Sequence, residues 1–398
     1  MPDTLRELVA LGRGSKTGGA NERADFLKAR LRMAGFDVAF DRVPLSSNEK
    51  SPDGKNLVAV REVKGAPTIF LFAHLDTVGV GDGWSTDPFS VVEEGRKLYG
   101  RGTLDMLSGI SAFVEATAQP SRYNLVLLGA CDEENASAGT NHFIAHRKEL
   151  LRTADLVLSG DATDMFPQNS EPDQLPHSIM VGNPGYACAE LVLAPKNNSN
   201  ALEVLDVVMR ELKAIINSLP NNSKSRFLKD KAGLSDLKAE TPEGASFPTS
   251  VTISLDLYVG FEPTLARLES IRAEIEAKLL QTPAMEDLVR KGFDLRLIFG
   301  NDPIAPTEGF LVTDLSSHLV RSLTKTIKDV VGVRRIRKVG GELIGDENLL
   351  ATGLSELERR VPIIGYTAAG GNAHQANEYV CIPSFMQVRE VYRRFLAG

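Results

Sequence analysis

The stretch Thr68–Gly79, TIFLFAHLDTVG, constrains this chain most. Thr68–Ala73 is an apolar run of strand length without alternation, the pattern of a strand buried on both faces of a parallel sheet. It stops at His74, Leu75 and Asp76, placing a nitrogen ligand and a carboxylate where the strand opens into a loop. In open α/β sheets, ligands bind beyond the carboxyl ends of the strands. The same event recurs. Asn124–Ala130 runs into Asp132, Glu133 and Glu134, and Leu156–Gly160 into Asp161. Val361–Tyr366 leads through a Gly-rich loop to His374, and Asp105 precedes a helical pattern. A single acidic strand end is readily explained as a helix cap. Four apolar runs that all end in His or carboxylate point instead to one metal site along one sheet edge.

Strand, loop and helix patterns alternate up to Gly160, which predicts a mostly parallel sheet with helices on both faces. Helical patterns cover Asn21–Met33, Leu107–Ala118 and Gly139–Leu150, and strands are expected at Phe36–Val43 and Asn56–Val60. Asp164–Ser178 holds Pro167, Pro172 and Pro176 and reads as a loop. Beyond it come strand Ala187–Ala194, helix Ala201–Leu219, strand Val251–Val259, helix Leu265–Leu280 and strand Phe293–Phe299, with room for one more strand in Asn221–Glu243. That order describes a small α+β, ferredoxin-like sandwich. The expected division is therefore residues 1–182 with 303–398 as a catalytic domain and 183–302 as an insertion.

His, Asp and Glu without a nearby cysteine cluster suit Zn²⁺ or a similar divalent ion. His74, Asp105, Glu134, Asp161 and His374 exceed what one ion needs. They suit two ions sharing a bridging carboxylate, spaced roughly 3.5–4 Å apart. Glu133 then stands free as a general base. Asp76 is placed to accept the second ring N–H of His74.

The segments HLDTV (His74–Val78), YGRGTLDM (Tyr99–Met106), DEE (Asp132–Glu134), GDAT (Gly160–Thr163) and AHQANEYV (Ala373–Val380) carry a resemblance. They are similar to the dinuclear zinc peptidases and deacylases, the family of acetylornithine deacetylase, succinyl-diaminopimelate desuccinylase, aminoacylase and carboxypeptidase G. The order and spacing match over almost the whole chain. The resemblance implies two Zn²⁺, replaceable by Co²⁺ or Mn²⁺, with His74 and Asp161 on one and Glu134 and His374 on the other. It implies that Asp105 bridges them and is followed by a cis peptide bond, that Glu133 is the base, and that Asp76 orients His74. It makes the insertion a lid, which in the family often forms a homodimer through an edge strand. The departures lie in the lid. APKNNSN (Ala194–Asn200) lacks the family's His, Tyr258 stands where an Arg is common, and Asn183–Tyr186 lacks basic residues. Those groups normally hold the substrate carboxylate or the oxyanion. The Pro-rich loop starts three residues after Asp161 and carries His177. His177 is thus the candidate substrate contact, against the plainer reading of a surface loop.

The expected activity is amide hydrolysis of a small N-acyl amino acid. A dipeptidase or carboxypeptidase is the alternative, and a non-catalytic binding protein a third reading that the presence of Glu133 argues against. A net charge of −7 argues against nucleic-acid partners. No run of about 18 apolar residues offers a membrane span. Cys131, Cys188 and Cys381 are too scattered for a disulfide framework, and Met1–Arg13 lacks signal-peptide character, so a cytoplasmic location is expected. Other signals are weaker. His142 and His146 lack a third ligand, and basic Val333–Val339 reads as an exposed strand. Gly79–Gly83 lacks the dinucleotide fingerprint, and Cys131 sits beside carboxylates that disfavour its thiolate.

Overall fold

In the computed structural model, residues 3–45, 53–161, 170–171, 173, 176–196, 200–218, 231–241, 246, 248–259, 264–299, 307–312, 315–341 and 344–398 are described. The chain packs as two compact units. One comprises Met1–Gly182, Leu311–Gly341 and Gly345–Gly398, and the other is Asn183–Phe310.

An eight-stranded sheet organises the first unit. Its order is Asp37–Val43, Gly54–Arg61, Asn124–Ala130, Thr68–His74, Leu156–Ser159, Ile363–Gly365, Ser178–Met180 and Arg337–Val339. The four central strands, Asn124–Ala130 to Ile363–Gly365, run parallel. The first two strands are antiparallel additions, and the last two are parallel to each other but antiparallel to Ile363–Gly365. The sheet is therefore mixed around the parallel core that the apolar runs predict. All seven residues of Thr68–His74 are buried. Because successive side chains leave opposite faces, both faces must be covered. On one, Phe70 meets Phe143 of helix Ala138–Arg152, ring centroids 5.6 Å apart.

Register levels the strand ends. His74 pairs with Ala130, Phe72 with Ser159, and Ser159 with Gly365. The loops that follow thus leave the sheet along one edge. A second small sheet has Gly370–Gly371, Tyr379–Cys381, Lys97–Tyr99 and Val92–Glu94 in that order; of these, only Gly95–Tyr99 reads in the sequence as a short return strand. It consists of strands of two or three residues, too short to carry a period. Arg337–Val339 forms the far edge of the large sheet, with Arg337 and Lys338 exposed. Such charges discourage edge-to-edge pairing.

The second unit has four antiparallel strands in the order Lys231–Glu240, Ser250–Val259, Gly185–Pro195 and Phe293–Phe299. Phe293, Leu295 and Leu297 point to one face, where Val208, Leu212, Leu268 and Ile275 of the helices Leu205–Ser218 and Leu265–Leu280 join the core. Sequence patterning missed helix Pro283–Arg290, with Thr282 capping the Met285 N–H, and helix Asp3–Ala10. Each has eight residues, close to the shortest helix that a period can reveal. The second unit reaches Phe310 because Tyr186 and Thr307 exchange backbone hydrogen bonds of 2.8 Å. Among the described residues, no helix is long and apolar enough to cross a membrane.

Gly139 tests the packing under the acidic loop. A Cβ there would lie 2.3 Å from the Cys131 carbonyl oxygen and 2.6 Å from Asn56 Oδ1. The backbone cannot easily retreat, because the Gly139 N–H donates to Cys131 O and Asn56 Nδ2 donates to Gly139 O. Gly139→Ala should lower the unfolding free energy by about 1–3 kcal/mol in urea titration. Gly233→Ala, which meets nothing within 4 Å, should stay within about 0.5 kcal/mol of wild type.

Candidate metal centre

Each donor enters from a different element, and the levelled strand ends bring them together. His74 is the last residue of its strand and fully buried. Glu134 follows the strand that ends at Ala130, and Asp161 the strand that ends at Ser159. Asp105 lies six residues past Lys97–Tyr99, and His374 between Gly370–Gly371 and Tyr379–Cys381. The small sheet pairs Tyr99 with Tyr379, which carries His374 to Asp105. The Asp105–Met106 peptide bond is cis.

Two groups of donors result. His74, Asp105 and Asp161 can each offer an atom within 4.8 Å of the others, and so can Asp105, Glu134 and His374. Asp105 belongs to both. Its Oδ1 lies 3.0 Å from His74 Nε2 and its Oδ2 3.0 Å from His374 Nε2. Glu134 Oε2 is 2.8 Å from His374 Nε2, and Asp161 Oδ2 is 3.9 Å from His74 Nε2. The His374 side chain is 52% exposed, which opens its group to solvent.

The electrostatics favour positive charge here. Hydrogen bonds to Asp105 and Glu134 push His374 up to about 10. Burial pulls His74 down, yet Asp105 and Asp76 carry it well above the ordinary imidazole range. Burial pushes Asp105 up, but His374 and His74 together bring it below the usual carboxylate range. Carboxylates that stabilise positive charge around two imidazoles form a site a divalent ion fits. The N and O donors suit zinc and similar ions. Burial, with Asp76 and Asp132 behind it, pushes the Cys131 thiol up, so it remains neutral and Cys131 is no thiolate ligand.

Glu133 and Asp76 stand beside these donors. Burial raises Glu133 well above the carboxylate range; His74 opposes this, and Asp346, Asp161 and Glu134 add to it. Asp76 differs in detail from the expectation. His74 Nδ1 faces the Asp76 main-chain oxygen at 3.1 Å, whereas the Asp76 carboxylate is 3.7 Å away. The carboxylate instead accepts the backbone N–H groups of Glu133 and Glu134, at 3.2 and 3.1 Å. Two N–H donors in a row after a strand fill a carboxylate better than one imidazole can.

His177 belongs to neither donor group. It is half-buried, and its carbonyl oxygen accepts from the Arg337 N–H at 2.9 Å. Most of its Pro-rich loop, and residues 197–199 of the lid segment that lacks the family's His, lie outside the described residues. His142 and His146 stack at 4.1 Å and also belong to neither group. Sequence reasoning missed two acidic supports. Glu347 accepts from Ser159 Oγ, which takes the Asp161 N–H at 3.0 Å. Buried Glu378 accepts from the Asp105 loop. The quoted segment AHQANEYV contains Glu378, but nothing in the spacing marks it.

Residues 70–398 match the family described as Peptidase family M20/M25/M40. The chain is 23% identical over 350 residues to a succinyl-diaminopimelate desuccinylase of Sulfurimonas denitrificans, covering 86% of this chain and 87% of that protein. It is 30% identical over 229 residues to an acetylornithine deacetylase of Erwinia tasmaniensis, covering 54% and 56%. That second match spans about half of each protein. The fold is similar to that of the dipeptidase Dug1p from Saccharomyces cerevisiae, with a TM-score of 0.74, 15% identity and coverage of 99% and 94%. With its family match over more than three quarters of its length, this chain belongs to the M20/M25/M40 peptidase family and is a metal-dependent hydrolase.

Proposed function

We propose that this chain hydrolyses the amide bond of a small N-acyl amino acid, releasing a free amine and a carboxylate. The observation that carries this reading is Asp105, whose two carboxylate oxygens face two different imidazoles at the same 3.0 Å. In this reading His74 and Asp161 hold one zinc and Glu134 and His374 the other, with Asp105 common to both. When bound, the ions supply Lewis acidity, lowering the pKa of water and polarising the scissile carbonyl.

The chain's own residues do the rest. Glu133 takes a proton from the attacking water and delivers it to the leaving nitrogen as the C–N bond breaks. Its raised pKa suits a group that must first accept the proton and then release it. The Asp76 carboxylate fixes the main chain of Glu133 and Glu134, so that base and ligand keep their separate directions. The main-chain oxygen of Asp76 sets the tautomer of His74.

The matches to a desuccinylase and a deacetylase support an acyl group on an amino-acid nitrogen. The family's description as peptidases supports a second reading, cleavage of a dipeptide by the same residues. We read the unit Asn183–Phe310 as the lid domain of such an enzyme and His177 as a substrate contact. The location inside the cytoplasm and a homodimer through the lid are carried as parts of the same proposal.

Four outcomes test this. A panel of acetyl-, succinyl- and formyl-amino acids beside dipeptides, assayed with added Zn²⁺, Co²⁺ or Mn²⁺, should show deacylation. Turnover of dipeptides alone would favour the second reading. Chelation should abolish turnover, and two equivalents of metal should restore it. Glu133→Gln should cut kcat by about 10²–10⁴-fold while retaining metal content and far-UV dichroism. Loss of zinc in that variant would make Glu133 a ligand instead. His177→Ala should raise KM, and an unchanged kcat/KM would remove His177 from the site.

A further inference from the structure

One carboxylate ties together the loops on which the proposed metal centre depends. Glu378 is fully buried, four residues past His374. Its Oε1 accepts the N–H groups of Leu104 and Asp105, at 2.9 and 3.0 Å. Its Oε2 accepts the Gly102 N–H at 2.9 Å and Arg101 Nη1 at 2.7 Å. Its own carbonyl takes the Gly100 N–H at 3.0 Å. Arg101, 1% exposed, turns Nη2 to the Gly79 carbonyl at 3.1 Å, on the segment that follows His74 and Asp76. A carboxylate offers about four acceptor directions, and here four donors use them. Glu378 therefore has no lone pair left for an ion, although it lies close to the site.

We propose that Glu378 is the positioning residue of the metal centre: it clamps the main chain of Gly102–Asp105 so that the Asp105 carboxylate presents one oxygen to each imidazole. This rests on the metal-centre reading above. Glu378 neither binds an ion nor touches substrate. It acts through Asp105, and through the link it makes between the loops of Asp105 and His374.

The clamp needs two acceptor oxygens. In Glu378→Gln one oxygen becomes an NH₂ group, which faces N–H donors whichever way the amide turns. One flip releases Leu104 and Asp105, and the other releases Gly102 and Arg101. Glu378→Asp keeps the charge beside Arg101 but ends one methylene short of the loop.

The experiment titrates metal-free protein with Co²⁺, following the visible absorption of the ion and competing it against a chelator, with the thermal midpoint of the metal-free protein measured alongside. Wild type should take two equivalents. Glu378→Gln should bind them about 10–100-fold more weakly, with an altered cobalt spectrum. Glu378→Asp should shift both in the same direction, and it decides the matter if the Gln variant does not fold. A merely structural role would lower the midpoint and leave affinity and spectrum unmoved. A folded variant with affinity within about twofold of wild type and an unchanged spectrum overturns the assignment alone. A wild-type protein that takes up fewer than two equivalents overturns the metal-centre reading and this assignment together.

Discussion

Like charge crowded at one end of a sheet is the constraint on which the rest of the first unit depends. Asp76, Glu133, Glu134 and Asp161 follow strands whose ends are levelled by register, and the loop after Lys97–Tyr99 of the small sheet adds Asp105, so their mutual repulsion is built in. Main-chain N–H groups offset part of it. The Asp76 carboxylate takes the N–H groups of Glu133 and Glu134, Glu378 takes those of Leu104 and Asp105, and Ser159, held by Glu347, takes that of Asp161. Asp76 and Glu378 anchor the backbone of other acids directly, and Glu347 does so through the Ser159 hydroxyl. A hydrogen bond to a charged acceptor contributes about 1.5–3 kcal/mol, so the anchors on Asp76 and Glu378 outweigh ordinary loop bonds. They also leave the anchored carboxylates free to face inward.

The imbalance that remains is what makes the site a cation site. Burial alone would lower the pKa of His74, yet its carboxylate neighbours reverse the sign. The same field also raises Glu133, but there the nearby acids reinforce what burial begins, with His74 opposing. Asp346, fully buried behind the acidic loop, is itself pushed up to about 6 by burial. It relieves its charge by accepting from Thr140. One crowded set of carboxylates thus raises His74, Glu133 and Asp346 together.

Much of this was legible from residues. The unalternating run at Thr68–Ala73 announced a doubly covered strand, and its terminal His74 announced the site. In the structure His74, Asp105 and Asp161 form one group of donors and Asp105, Glu134 and His374 another. The lid's order of elements was readable because its strands and long helices span several periods, as in Phe293–Phe299. The short helices Asp3–Ala10 and Pro283–Arg290 were not, because eight residues hardly complete two turns. The supports were hidden for another reason. Glu347 and Glu378 are acids in ordinary polar text, and only the tertiary structure buries them against N–H groups distant in sequence. Asp76 shows the same limit at finer scale. Its proximity to His74 was readable, but which of its oxygens serves the ring was decided by donors at Glu133 and Glu134.

The small sheet explains how so distant a residue as His374 is placed accurately. Its strands are too short to be stable by themselves. Tyr379 pairs with Tyr99 and Cys381 with Lys97, and the Tyr99 and Tyr379 rings lie 5.5 Å apart. A slip of one residue would turn each side chain to the other face. It would also move Glu378, the neighbour of Tyr379, away from the N–H groups it serves. The buried Arg101–Glu378 pair opposes that slip strongly, since separating such a pair leaves a buried charge uncompensated, at a cost of about 3–5 kcal/mol. Register, ion pair and main-chain clamp thus enforce one another. The position of His374 against Asp105 follows from pairing a few residues away, with no long element holding either side chain directly.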